Sequence, residues 1–230
     1  MSFLWEVVTQ AIEFLLQADF WPVLRLTLVV TLSATLLALL LGIPLGIWTG
    51  ERNTKSSRLM LVLLNTGMGM PPVLAGLLVL LLLWGDGPLG GFRLLFTPVA
   101  MVFVQVLLAL PIIAGIVAGA VRSLPSVALE HIASLKLSGR QERRLKLSEV
   151  RPAVITGVAA AFGRVISEVG AVLIIGGNIK GETRVLTTAI VQESRQGNLG
   201  AALGFGLVLF LLAISINVWL TWFQLREPVK

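Results

Sequence analysis

The 230-residue chain has no cysteine, one histidine and few charges, with only 13% of its residues Asp, Glu, Lys or Arg. Each shortage excludes a class of protein. Without cysteine there is no disulfide scaffold, no thiolate zinc site, no iron–sulfur cluster and no thiol nucleophile. The lone His131 cannot assemble a multi-histidine metal site. A soluble domain carries about 25% charged residues, so this chain lacks the surface of a cytosolic enzyme. Motifs of covalent or metal-assisted chemistry, such as HExxH and GxSxG, are missing as well. No cofactor or metal is expected, and no catalytic residue is assigned. The composition that remains is 56% hydrophobic, with a mean hydropathy of +0.92. The net charge of +6 would suggest nucleic acid in a soluble chain. In a membrane protein it reports loop orientation instead, and no nucleic-acid partner is expected.

Five apolar stretches predict membrane spans, at about 24–48, 59–84, 98–121, 153–175 and 201–223. Each is long enough to cross ~30 Å of hydrocarbon as a helix. Helices are required because lipid offers no partner for free backbone groups. The stretches are Leu-rich and lack the alternation of barrel strands. The expected fold class is therefore all-α: a polytopic membrane protein with residues 1–230 in one transmembrane domain. The first basic residue is Arg25, so residues 1–20 do not read as a secretory signal. Leu4, Val7, Val8, Ile12, Leu15 and Leu16 form a helical stripe, which predicts an interfacial helix anchored by Trp5 and Trp21. A crossing helix is the competing reading. It would carry Glu6 and Glu13 through lipid at roughly 2.5–3.5 kcal/mol each.

Loop charges predict the orientation. Arg52, Lys55 and Arg58 fall in one loop. Arg122, Lys136, Arg140, Arg143, Arg144, Lys146 and Arg151 fall in the 122–152 loop, and Arg226 and Lys230 in the tail. The opposite side has only Arg93, Lys180, Arg184 and Arg195. Positive loops stay cytoplasmic, which puts the amino terminus outside and the carboxyl terminus inside a plasma membrane. Five spans give that parity and six do not.

Within the spans, Gly42, Gly46 and Gly50 recur at four-residue spacing, as do Gly115 and Gly119, and Gly200 and Gly204. Such spacing lets helices approach closely, within one chain or between chains. Pro44, Pro71, Pro72 and Pro111 predict kinks, the sharpest at Met68-Gly-Met-Pro-Pro72. A broken helix there is either a structural kink or part of a transport cavity. Arg164 and Glu168 lie four residues apart inside the fourth span and share a helix face. They read as an intrahelical ion pair or, with Asn178, as candidate pathway or gate residues. The segment Gly176-Gly-Asn-Ile-Lys-Gly-Glu-Thr183 nearly fits a phosphate loop, but Glu182 stands where the lysine is needed. The charge pattern also places it outside, away from ATP.

The 122–152 loop is the longest polar segment. Pro125 and Ser126 can open a helix, Gly139 can stop it, and Val127, Leu129, Ile132, Ala133 and Leu135 give it an apolar side. That side predicts either docking into a partner's groove or a helix lying on lipid headgroups.

This loop resembles the EAA loop of permease subunits in binding-protein-dependent ABC importers. Glu130 matches the motif's Glu and is followed by His131, Ile132, Ala133, Leu135, Lys136, Leu137, Ser138 and Gly139. His131 and Ile132 replace the two alanines, Lys136 replaces the glycine, and Lys146-Leu-Ser-Glu149 replaces Ile-x-Leu-Pro. The following stretch is similar to tungstate-type permeases of the molybdate, tungstate and sulfate group. It reads Phe162-Gly-Arg-Val-Ile-Ser-Glu-Val-Gly-Ala171, Gly176-Gly-Asn-Ile179 and Thr183-Arg-Val-Leu-Thr-Thr-Ala-Ile190. The resemblance implies a type I importer permease without its own ATPase site, working as a homodimer. It implies two cytoplasmic ATP-binding subunits and an extracytoplasmic oxyanion-binding protein. Glu130–Gly139 would be the coupling helix, and tungstate the cargo, with molybdate or sulfate as alternatives. A membrane-embedded enzyme or a self-sufficient channel are the rival classes. Neither accounts for an apolar helix on the cytoplasmic side.

Overall fold

The computed structural model describes residues 2–17, 19–125, 127, 134–135 and 138–226. Among them the regular structure is helical: α1 (Ser2–Leu15), α2 (Phe20–Glu51), α3 (Lys55–Met68), α4 (Pro72–Leu83), α5 (Pro98–Arg122), α6 (Gly139–Glu149), α7 (Arg151–Ile166), α8 (Gly170–Gly176), α9 (Leu186–Gln196) and α10 (Leu199–Arg226), with a 3₁₀ turn at Gly90–Phe92. Local chemistry sets several starts. The Thr54 hydroxyl accepts the Ser57 amide at 3.2 Å while the Ser57 hydroxyl accepts the Thr54 amide at 3.1 Å, a reciprocal cap. Pro98 opens α5, where a missing amide costs nothing.

Among the described residues, three helices are long and apolar enough to cross a membrane: Phe20–Glu51, Pro98–Arg122 and Leu199–Phe223. Two bent pairs bring the number to five if each is one span: Lys55–Met68 with Pro72–Leu83, bent by 110°, and Arg151–Ile166 with Gly170–Gly176, bent by 58°. The expected span 59–84 breaks at Met68–Pro72, where the prolines predict it, whereas the span 153–175 was expected to be continuous and is broken too. At the first break, Pro71 and Pro72 remove two consecutive amide donors, and each forces the residue before it out of the helical region. The second has no proline, and Glu168 ties its own side chain to the helix that follows. Pro44 and Pro111, by contrast, lie inside helices that run through them.

Helices α2 and α5 pack side by side and parallel. Gly42 faces Ile113, Gly46 faces Ala114 and Val117, and Gly50 faces Val121. A Cβ on Gly46 would lie 2.6 Å from the Ala114 carbonyl oxygen, so only glycine permits this approach. The seam, with Ala34, Ala38, Ala109, Ala161 and Val165, forms the largest apolar core. Small side chains dominate it, as expected where close backbone contact replaces hydrophobic exclusion. Leu36, Leu40, Leu81, Phe210 and Trp219 point outward, a surface suited to lipid.

Helix α1 has 14 residues, about 21 Å at 1.5 Å each, short of ~30 Å of hydrocarbon. It does not stand alone as an interfacial rod. Its Gln10 and Ala11 press on Gly200 and Gly204 at the start of α10, and Phe14 packs edge-on against Phe205 with ring centroids 4.8 Å apart. The second glycine pair is therefore a seam within the chain.

Candidate translocation site

The two helix breaks lie against each other. The Arg164 guanidinium, at the end of α7, donates from Nη2 to the Met70 carbonyl at 3.4 Å. Met70 sits between the end of α3 and the Pro71-Pro72 start of α4, where its carbonyl is free of a helical ladder. Above this contact α4 and α8 touch through glycines: a Cβ on Gly170 would lie 2.9 Å from Val73 Cγ2, and one on Gly76 3.0 Å from Ala171 Cα.

Glu168 occupies the second break and is 7% exposed. Its Oε1 accepts the Ala171 amide at 3.0 Å, satisfying a donor at the start of α8. Its carbonyl accepts the Thr187 hydroxyl at 2.9 Å. From α5, the Gln105 amide donates to the Val165 carbonyl at 3.4 Å, at the end of α7. The intrahelical ion pair expected between Arg164 and Glu168 is absent. The helix ends at Ile166, so the four-residue spacing no longer puts both side chains on one face, and each turns to backbone partners instead.

Beyond α8 the chain turns back. Gly177 and Asn178 adopt left-handed conformations, with φ of 69° and 54°. The Thr183 hydroxyl donates to the Gly176 carbonyl and accepts the Ile179 amide. Thr183 and Thr187 thus pin residues 183–187 alongside α8. The near-match to a phosphate loop is a turn whose threonine hydroxyl is consumed internally. The Asn178 Oδ1 is buried without a hydrogen-bond partner. Seven residues of helix, about 10 Å, separate it from Glu168, so it does not join Arg164 and Glu168 at the break. On this end of the bundle a cavity of about 790 Å³ is lined by Trp21, Arg25, Leu26, Val29, Pro98 and Arg184, among others. The Arg184 Nη1 stands 4.0 Å from Glu193 Oε1.

At the opposite end, α6 lies beside the last turn of α2. The Lys146 Nζ is 3.0 Å from Glu51 Oε1 and 2.7 Å from Glu142 Oε1. Burial disfavours the charged ammonium, but hydrogen bonds to Glu142 and Glu51 outweigh it and hold the pKa above the ordinary value of 10.5. Arg122, closing α5, donates from Nη2 to the Thr49 carbonyl at 3.1 Å. Gly139, expected to stop a helix, is the first residue of α6. Ser138 caps α6, with its amide and hydroxyl both donating to Gln141 Oε1 at 3.0 and 2.7 Å. Val127 and Leu135 are exposed. Glu130, His131, Ile132, Ala133, Lys136 and Leu137 lie outside the described residues.

Sequence reading had singled out Arg164, Glu168 and the Pro71-Pro72 break but not their meeting. Met70, Thr187 and Gln105 were missed because a carbonyl or a neutral side chain in an apolar run carries no sequence signal. Glu51 and Lys146 were missed because 95 residues separate them.

A probable anion ABC transporter permease protein of Haloferax volcanii is 40% identical over 184 residues, covering 78% of this chain and 79% of that protein. A tungstate uptake system permease protein of Campylobacter jejuni is 37% identical over 163 residues, 71% of this chain and 68% of that one. The crystal structure of a bacterial ABC transporter involved in import of the acidic polysaccharide alginate contains a chain of the same fold, with a TM-score of 0.75 at 17% identity. It covers 96% of this chain and 84% of the other. The family model for inner membrane components of binding-protein-dependent transport systems matches residues 42–227. A helical bundle with two paired breaks, matched by that model over most of its length, belongs to the family of binding-protein-dependent transport system inner membrane components.

Proposed function

We propose that this chain is the permease subunit of an ABC importer that carries a tetrahedral oxyanion, tungstate, into the cytoplasm. Residues 1–230 act as one transmembrane domain. Two copies form the pathway, two cytoplasmic subunits hydrolyse ATP, and an extracytoplasmic protein delivers the anion. The cargoes of its relatives support an anion, and the Campylobacter jejuni protein supports tungstate. Molybdate and sulfate, alike in charge and shape, are the alternatives.

The observation that carries the reading is the meeting of two broken helices at Met70 and Arg164. Irregular backbone at membrane depth is tolerated where it is buried in protein or lines a cavity. A bundle articulated at two adjacent breaks has the means to rock between outward and inward openings, which requires two states of similar free energy. The guanidinium of Arg164 has five donors, of which Met70 takes one. The others supply a single cationic contact for a passing anion. One such contact is weak enough to release its cargo, as conduction demands.

The basic loops support a cytoplasmic location for α6 and the carboxyl terminus, with the amino terminus outside. Glu130–Gly139 is the coupling helix in this reading, and the exposed Leu135 within it and Val127 just before it suit a partner's groove. Uptake of labelled tungstate, molybdate and sulfate tests the proposal in cells lacking and then regaining the chain. Restored tungstate uptake is expected; identical uptake of all three with and without the chain defeats it.

A further inference from the structure

The bundle and the loop that faces the ATPase in the proposed function are separated by a gap. Between the last turn of α2 and helix α6 lies a cavity of about 530 Å³, bounded by Glu51, Arg52, Asn53, Arg122, Glu142 and Lys146. Apolar packing does not fill it. Among the described side chains, that of Lys146 spans it. The Lys146 ammonium, 14% exposed, reaches Glu51 Oε1 at 3.0 Å while Glu142 holds it from its own helix at 2.7 Å.

Glu51 is the last residue of α2, and α2 is locked to α5 along Gly42, Gly46 and Gly50. Arg122 then ties the two ends together through the Thr49 and Arg52 carbonyls. Whatever displaces Glu51 therefore displaces α2 and α5 as one block. Helix α6 also meets the α2–α5 core apolarly, through Leu147 and the turn at the buried Val150, so the Lys146 contact is a second, polar link.

We infer that Lys146 is a positioning residue, a strut that carries displacement of the coupling loop across this cavity to the α2–α5 block. The inference rests on the proposed importer function and adds a polar route, beside the apolar contact of Leu147 and Val150, by which the ATPase stroke enters the bundle. The ammonium is charged at physiological pH, and hydrogen bonds to the two carboxylates raise its pKa further, above 10.5. The contribution is present below that value and lost only as pH rises through the still higher folded pKa.

The test uses the assembled transporter in vesicles, with its ATPase subunits and loaded binding protein, and reads anions moved per ATP hydrolysed. Lys146→Met is expected to lower that ratio about tenfold while stimulated ATP hydrolysis stays within about twofold. Lys146→Arg should keep it. The absence of native cysteine allows a direct rescue. Glu51→Cys with Lys146→Cys should be uncoupled when reduced and recoupled by a short thiol-reactive cross-linker. Glu51→Ala gives the same arm should Lys146→Met fail to assemble. An unchanged ratio in either variant overturns the strut, as does a parallel fall of uptake and hydrolysis that leaves the ratio intact. Wild-type complex that shows no ATP-driven uptake is a different failure, that of the importer reading itself.

Discussion

Arg164 Nη2 donates to the Met70 carbonyl at 3.4 Å across 94 residues of chain, and Glu168, four residues on, takes no part in that contact. The pair of opposite charges in the fourth span is thus two separate devices. One joins two helix breaks and the other starts a helix.

Exchanging the charges should therefore fail to rescue. Arg164→Glu combined with Glu168→Arg is expected to be no more stable than the worse single variant in detergent thermal denaturation. An ion pair would predict recovery, and recovery to wild-type stability would contradict the geometry. Arg164→Ala alone removes a charge-assisted hydrogen bond from a half-buried group, costing about 1 kcal/mol. Its larger effect is expected on uptake.

Glu168 acts through an acceptor oxygen. Glu168→Gln retains one for the Ala171 amide, whereas Glu168→Ala leaves that amide unpaired in a buried site, at about 1–2 kcal/mol. Melting temperatures should rank wild type close to Gln and both above Ala. A Gln variant as unstable as Ala would show that the negative charge itself is required.

Gly46 tests the α2–α5 seam. Gly46→Ala puts a methyl 2.6 Å from a backbone oxygen that cannot rotate away, and overpacking of this kind costs about 1–3 kcal/mol. Gly119→Ala, which meets nothing within 4 Å, is the control and should be neutral or gain up to about 1 kcal/mol from helix propensity. Equal stability of the two variants would mean that α2 and α5 do not pack as described.

The coupling loop is tested by Glu130→Ala and Leu135→Asp. Each is expected to cut uptake about tenfold or more while the permease remains inserted and the ATPase retains basal hydrolysis. Wild-type uptake and wild-type ATPase stimulation in both would leave a headgroup-bound helix as the better account.

Composition alone determined that this is a helical membrane protein, because an unpaired backbone in lipid admits few other solutions and the charge deficit excludes a soluble surface. The Pro71-Pro72 break was legible for a similar reason: two missing amides end a helix wherever they occur. The tertiary structure decided what these features are for. It showed Gly42, Gly46 and Gly50 to be an internal seam rather than a surface, because glycine spacing reveals closeness but not the partner. It broke the fourth span where no residue type announces a break, because the Glu168 carboxylate bonds an amide three residues ahead. It also brought Lys146 to Glu51 across 95 residues. Sequence neighbours reveal periodicity; only the folded path of the chain reveals which charges and carbonyls meet.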